Sequence, residues 1–88
     1  MSELAIYPTP CEIDTAIPLL KEGKRITRKE WMKNGIIENY LKIEDVGIGN
    51  KTLSHILFSI HAQTGVQKAY SFKNDDLYAK WYLIKEEA

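Results

Sequence analysis

The sequence has few of the features that mark several classes of protein. Its single cysteine, Cys11, cannot form a disulfide within the chain, so packing must hold the fold, as is usual in a reducing compartment. No run approaches the ~20 apolar residues of a membrane-spanning helix, and the first residues do not read as a secretory signal. The 12 basic and 12 acidic residues cancel, which argues against a DNA-coating protein. These absences predict a soluble cytoplasmic protein, with no membrane association and no direct DNA binding.

The chain does contain the apolar content of one small globular domain. Hydrophobic residues make up 44% of the sequence and charged residues 27%, both close to the usual values. We therefore expect a single domain over residues 1–88. A domain of this size buries a modest core, which favours assembly into a homo-oligomer.

One amphipathic helix is predicted near the N-terminus. An apolar stripe with helical spacing is formed by Ile13, Ala16, Ile17 and Leu20. The segment Thr9–Glu12 has the outline of a capping box, with Thr9 as the N-cap, and Gly23 is a suitable stop. Pro18 should kink this helix or delay its start to Asp14.

The remaining segments have strand and turn patterns. Predicted strands are Leu4–Tyr7 at an edge, Arg25–Glu30, Ile37–Glu44, Leu53–Ala62, Val66–Phe72 and Trp81–Lys85. Predicted connections are a turn over Trp31–Gly35 that is tightest at Asn34-Gly35, a flexible loop over Gly47–Lys51, a turn over Gln63–Gly65, and one helical turn, Asp75–Ala79, capped by Asn74. The predicted fold is α+β: one N-terminal helix packed on a mostly antiparallel sheet of about four to five strands, with a short helical turn before the last strand.

The residue types needed for catalysis or metal binding occur without a recognisable motif. Cys11 lies beside the predicted helix start, and His55 and His61 share one face of a predicted strand, but no pattern joins them. The two histidines and the distant Asp75-Asp76 pair do not have the spacing of a metal site. We therefore predict no enzymatic activity, no cofactor and no metal.

A basic segment follows the predicted helix. It contains Lys24, Arg25, Arg28, Lys29 and Lys33. Arg28 shares a strand face with Ile26, and a guanidinium directed to an apolar face usually pairs with a carboxylate or a bound phosphate. A solvated basic strand is the alternative. If Arg28 is a ligand contact, Arg28→Ala should abolish binding and leave the melting temperature almost unchanged.

The two tryptophans have different expected roles. Trp31 lies near a predicted turn, where stacking on a base or packing in the core are equally compatible with its position. Trp81 begins an aromatic strand, which favours core packing.

Two segments of the chain resemble a known family. Residues 16–31, which include Lys24, Arg28 and Trp31, resemble the opening signature of the second type of Thoeris anti-defence proteins, small proteins of phages and prophages. Residues 76–81 resemble the closing motif of the same family. The likeness covers roughly residues 14–41 and 70–84, although the chain has two extra residues before Asn34-Gly35 and no aspartate before Trp81.

The resemblance implies a protein that sequesters a signal. Members of that family are not enzymes; they form α+β protomers, assemble as homotetramers and hold nucleotide immune signals, notably a cyclic ADP-ribose isomer and in some cases cyclic dinucleotides. By this resemblance Arg28 contacts phosphate, Trp31 stacks and Asp76 accepts ribose hydroxyls, with capping of the short helix as the alternative role of Asp76. Lys24 and Asn34 complete the predicted ligand-binding set. We therefore expect a dimer or tetramer acting in the cytoplasm of an infected host cell. The alternative is a protein-binding inhibitor of a host defence effector such as a CRISPR nuclease.

Overall fold

A computed structural model describes residues 5–85, and it describes their side chains except those of residues 52 and 53. Along the chain the helices and strands are α1 Ile13–Lys21, β1 Ile26–Arg28, a 3-10 helix Lys29–Trp31, β2 Met32–Lys33, β3 Ile36–Ile37, β4 Asn39–Ile48, β5 Lys51–His61, β6 Gln67–Ala69, α2 Asn74–Tyr78 and β7 Trp81–Leu83. The 3-10 helix ends the predicted strand Arg25–Glu30 at Arg28. The predicted α+β fold, with an N-terminal helix and a short helix before the last strand, is confirmed.

Five strands form the main sheet, in the order β6-β5-β4-β1-β7, and every neighbouring pair is antiparallel. The outer edge of β7 is covered by the N-terminal segment. Ile6 bridges Ile84 and Cys11 bridges Trp81. In the described part of the predicted edge strand, Ile6 alone forms a bridge, and the first residue of that prediction, Leu4, lies outside the described residues.

Helix α1 begins later than the capping-box pattern predicted. The N-cap is Glu12, which makes no side-chain capping bond, so the expectation of Thr9 was wrong. The physical reason is that Cys11 exchanges backbone hydrogen bonds with Trp81, at 2.8 and 2.7 Å, and therefore keeps an extended conformation. Pro18 lies inside the helix, on its exposed side.

The predicted stop at Gly23 is confirmed. Gly23 has φ +88°. Its N–H donates to the Leu20 carbonyl at 3.0 Å, and the N–H of Lys24 donates to the Leu19 carbonyl at 3.1 Å. These two bonds form a Schellman motif, which satisfies carbonyl groups at the end of the helix.

Tight turns connect two pairs of strands. Asn34 and Gly35, with φ of 54° and 79°, form the predicted turn between β2 and β3, and positive φ at both positions is typical of a type I′ hairpin. The prediction of a flexible loop over Gly47–Lys51 was wrong. Ile48 pairs with Lys51, so only a two-residue turn that begins at Gly49 (φ 64°) separates β4 from β5.

The short helix α2 is not capped by Asn74, as the sequence had suggested. Asn74 is its first residue and Lys73 is the N-cap. The N–H of Lys73 donates to Asp76 Oδ2 at 2.8 Å, so the carboxylate of Asp76 takes the reciprocal role in this cap. Strand β6 is also shorter than predicted, since the chain leaves the sheet after Ala69 to cross toward α2.

Helix α1 packs on one face of the main sheet and encloses the core. Its buried members are Ile13, Ala16, Leu20, Ile26, Leu41 and Trp81. Because side chains alternate along a strand, Arg28 points to the same face as Ile26, and Asn39 to the same face as Leu41. The apolar core on this face of the sheet therefore borders a polar region that contains Arg28 and Asn39.

Candidate functional site

A cavity of about 470 Å³ opens on this polar region of the sheet, a volume within the usual range for small-molecule sites. Strand pairing places Arg28 beside Trp81, Asn39 beside His61 and Ser59 beside Lys68. The segment that crosses from β6 to α2 forms the opposite wall. It contributes Tyr70 and Lys73, and the first turn of α2 contributes Asp75 and Asp76.

An ion pair between Arg28 and Asp76 lies at the base of the cavity. Arg28 is 9% exposed and Asp76 is completely buried. Arg28 Nη1 donates to Asp76 Oδ1 at 2.5 Å and to Asp75 Oδ2 at 3.4 Å, while Nε donates to Glu30 Oε2 at 3.2 Å. The other oxygen of Asp76 accepts from the Tyr70 hydroxyl at 2.5 Å and from the Lys73 N–H. Asp76 is therefore a hub that fixes the positions of Arg28 and Tyr70.

The pKa values of Asp76, Tyr70 and Arg28 are all shifted by their contacts with one another and by burial. Burial would raise the pKa of Asp76, but hydrogen bonds from Tyr70, Lys73 and Arg28, together with the positive charge of Arg28, lower it below its ordinary value. Burial, reinforced by Asp76, raises the pKa of the Tyr70 phenol well above its usual range. Burial would lower the pKa of Arg28, but Asp76 and Glu30 outweigh that effect and raise it. At neutral pH the carboxylate and guanidinium are charged and the phenol keeps its proton.

One amino group of Arg28 is left for a ligand. Within residues 5–85, Nη2 donates no hydrogen bond. Nor does this part of the chain contain a buried side-chain nitrogen or oxygen that lacks a partner. Nη2 is consequently accessible, and because Arg28 lines the cavity it is a donor that a ligand can reach.

Aromatic rings surround this guanidinium. Arg28 Cζ lies 5.6 Å from the ring centroid of Trp31 and 5.8 Å from that of Trp81. Trp31 meets Trp81 and Tyr70 edge to face, with centroids 5.3 and 5.9 Å apart. Trp81 is completely buried, in agreement with its predicted core role, and its Nε1–H donates to the Asp76 carbonyl at 3.1 Å. Trp31 is half-buried and lines the cavity.

The structure brings together three of the five residues predicted to bind ligand. Arg28, Trp31 and Asp76 line the cavity, whereas Lys24 and Asn34 are not among its described lining residues. Lys24 follows the end of α1, and Asn34 is at the exposed tip of the β2–β3 hairpin. The carboxylate of Asp76 is already occupied by protein partners.

Several cavity residues were not assigned a ligand role from the sequence. They are His61, Lys68, Tyr70, Lys73 and Asp75. Strand alternation predicted that His61 shares a face with His55, but no sequence pattern indicated that the β6–α2 segment crosses the face of His61.

The hydroxyl of Thr64 lies 3.2 Å from His61 Nδ1 in this cavity, a pairing that resembles a nucleophile and its base. The surrounding bonds indicate a structural turn instead. The N–H of Thr64 also donates to Nδ1, at 3.3 Å, and the N–H of Val66 donates to Thr64 Oγ1, at 3.3 Å. The pair thus connects β5 to β6.

The other candidate reactive residues lie apart. Cys11 is half-buried beside β7, and burial raises the pKa of its thiol. His55 contacts Asp45 Oδ1 at 2.5 Å on the β4–β5 hairpin. Residues 5–85 contain no group of three or more His, Cys, Asp and Glu side chains arranged to hold a metal ion. The helices of this same part of the chain are too short or too polar to cross a membrane.

The fold and the site define a small α+β domain with an open, aromatic-walled cavity of mixed charge. Residues 11–84 match the family described as Tad2-like, the Thoeris anti-defense 2-like domain. The chain belongs to this family, and its membership supports a role against the Thoeris defence system. Comparisons with curated proteins and with solved structures gave no match.

Proposed function

We propose that this protein binds a nucleotide immune signal in the Arg28–Trp31 cavity and withholds it from its receptor without cleaving it. The observation that carries the proposal is the convergence of Trp31, Tyr70 and the accessible Nη2 of Arg28 on one open space. Stacking on an aromatic side chain contributes roughly 1–3 kcal/mol per base.

The size and charge of the cavity suit a compact nucleotide. Its lining includes three cationic side chains, Arg28, Lys68 and Lys73, together with two carboxylates, Asp75 and Asp76. Such a lining offers partners to phosphates and hydroxyl groups, while the aromatic wall offers a surface to a base. The resemblance described under Sequence analysis makes cyclic ADP-ribose isomers the first candidate ligands of this proposal and cyclic dinucleotides the second.

Calorimetric titration of the purified protein with cyclic ADP-ribose isomers and cyclic dinucleotides tests this proposal. We expect saturable binding of at least one compound, followed by recovery of that compound intact after the complex is heated. Trp31→Leu should weaken binding, whereas Tyr78→Leu is a matched control, because Tyr78 is 87% exposed on α2 and is not among the described lining residues. A cleaved product would exclude sequestration, and absence of binding to every compound would exclude the nucleotide ligand.

We also propose that the protein acts as a homo-oligomer in the cytoplasm of the infected cell. Its small size favours assembly, and the β4–β5 hairpin exposes apolar side chains, with Val46 41% and Ile48 78% exposed. Analytical ultracentrifugation should show a dimer or tetramer. A monomer at micromolar concentration would contradict this part of the proposal.

The same exposed hairpin favours one competing function, binding to a host defence protein. Exposed apolar side chains that are grouped at the tip of a hairpin are typical of protein–protein contacts. Pull-down of a stable host complex by the wild-type protein, lost in Ile48→Lys, together with no nucleotide affinity, would establish this alternative in place of the first.

A further inference from the structure

The charged groups of the cavity differ in how far the protein itself neutralises them. Arg28 is surrounded by three carboxylates, those of Asp76, Asp75 and Glu30. Within residues 5–85, by contrast, no carboxylate forms a salt bridge with Lys68 or Lys73. A phosphate beside Arg28 would therefore approach an acidic environment, whereas a phosphate beside the two lysines would meet charge that is still uncompensated.

Arg28 and Lys68 lie on different strands and are separated across the width of the sheet. Arg28 is on β1 and Lys68 on β6, with β4 and β5 between them. Three interstrand spacings of ~4.8 Å, with a register offset of two residues or ~6.7 Å along the strands, place their backbones about 16 Å apart. The cavity thus has an Arg28 end and a Lys68 end.

The site at Arg28 is suited to hydroxyl groups. Asp76 has no free oxygen, because Oδ1 accepts from Arg28 and Oδ2 from Tyr70 and Lys73. Asp75 is the available acceptor, since its side chain is 70% exposed and its one side-chain hydrogen bond within residues 5–85, to Arg28, is long at 3.4 Å. Asp75 and Arg28 Nη2 together supply an acceptor and a donor, which is the combination that a sugar hydroxyl requires.

On the basis of the proposed function, we infer that the ligand binds in one orientation, with its phosphoryl groups on Lys68 and Lys73 and its ribose hydroxyls on Asp75 and Arg28. In this orientation Asp75 replaces Asp76 as the ribose contact. This orientation predicts that the site discriminates against a ribose that carries an additional phosphate, because the negative charge of that phosphate would lie beside the carboxylate of Asp75.

The test measures the affinity of the tightest-binding cyclic ADP-ribose isomer at low and high sodium chloride. Lys68→Gln and Lys73→Gln should each weaken binding by about tenfold, since each removes a charge-assisted contact, and should reduce the salt dependence. Lys51→Gln is the control, because Lys51 is exposed at the far end of β5 and is not among the described lining residues. It should bind as the wild type does.

A second measurement compares cyclic ADP-ribose with its 2′-phosphorylated analogue. The wild type should discriminate against the analogue, and Asp75→Asn should reduce that discrimination, because it removes the repelling charge but keeps an oxygen acceptor. Unchanged affinity in both lysine variants, or unchanged discrimination in Asp75→Asn, would overturn the orientation while leaving sequestration intact. If the wild type binds no nucleotide, the proposed function fails and the orientation falls with it.

Discussion

The replacement of Arg28 by methionine should destabilise the fold strongly, in contrast to the near-neutral effect expected from the sequence. The change leaves Asp76, which is completely buried, without its cationic partner at 2.5 Å. Removing one member of a buried ion pair typically costs about 3–5 kcal/mol. A domain of this size has a free energy of unfolding on the order of 4–13 kcal/mol, so the loss is a large fraction of the total.

Urea denaturation followed by tryptophan fluorescence measures this loss directly, because Trp31 and Trp81 both lie within 6 Å of the guanidinium carbon. A loss of ~3 kcal/mol lowers the melting temperature of a domain in this size range by roughly 12 °C or more. Lys29→Met is the matched control, because Lys29 is an exposed basic residue next in the chain. It should unfold within about 0.5 kcal/mol of the wild type.

A double-mutant cycle separates the ion pair from the general loss of packing. Asp76→Asn keeps a side-chain oxygen for the Tyr70 and Lys73 donors but removes the charge. The double variant Arg28→Met/Asp76→Asn should be more stable than the sum of the single losses predicts, by at least about 1 kcal/mol. Additive losses, or an Arg28→Met variant as stable as Lys29→Met, would refute the structural role of the pair.

Three further measurements follow from the same structure. Because the pKa of Asp76 is lowered on folding, its stabilising contribution is complete above the ordinary value of 3.8 and disappears as pH falls through the lower folded value. Asp76→Asn should therefore flatten the acidic part of the curve of urea midpoint against pH. An unchanged curve would contradict the lowered pKa of Asp76. Trp81→Ala should lose about 3–5 kcal/mol of stability, whereas Trp31→Ala should weaken ligand binding more than it weakens folding. Thermal melting measures the loss of stability of each variant, and calorimetric titration measures its loss of affinity. Burial raises the pKa of Cys11, so iodoacetamide should alkylate the folded protein more slowly than the urea-unfolded protein at neutral pH; equal rates would contradict that prediction.

Local patterns accounted for the parts of the fold that local forces decide. The hairpin turn at Asn34-Gly35 and the helix end at Gly23 were predictable from the sequence, because a positive φ is favoured by the residue types at those positions. The apolar spacing of Ile13, Ala16 and Leu20 identified the buried side of α1. Thr9 failed as a cap because a contact between distant residues, Cys11 and Trp81, determines where the helix begins.

The site depended more on contacts that sequence patterns do not reveal. The carboxylate that holds Arg28 belongs to Asp76, 48 residues away. The sequence suggested that Arg28 needs a carboxylate or phosphate, but it did not identify which one. Lys68 and Lys73 have ordinary surroundings in the sequence. Lys68 joins the cavity because β6 pairs with β5, and Lys73 joins it because the β6–α2 segment crosses the face that holds Arg28.

The position of β7 has a consequence for biosynthesis. Strand β1 contributes Ile26 to the core and pairs with both β4 and β7, and Trp81 of β7 completes that core. A nascent polypeptide that stops before residue 81 lacks this partner and this indole. Folding on the ribosome therefore cannot finish until residue 83 has emerged from the exit tunnel, and prematurely terminated products should be open to proteases.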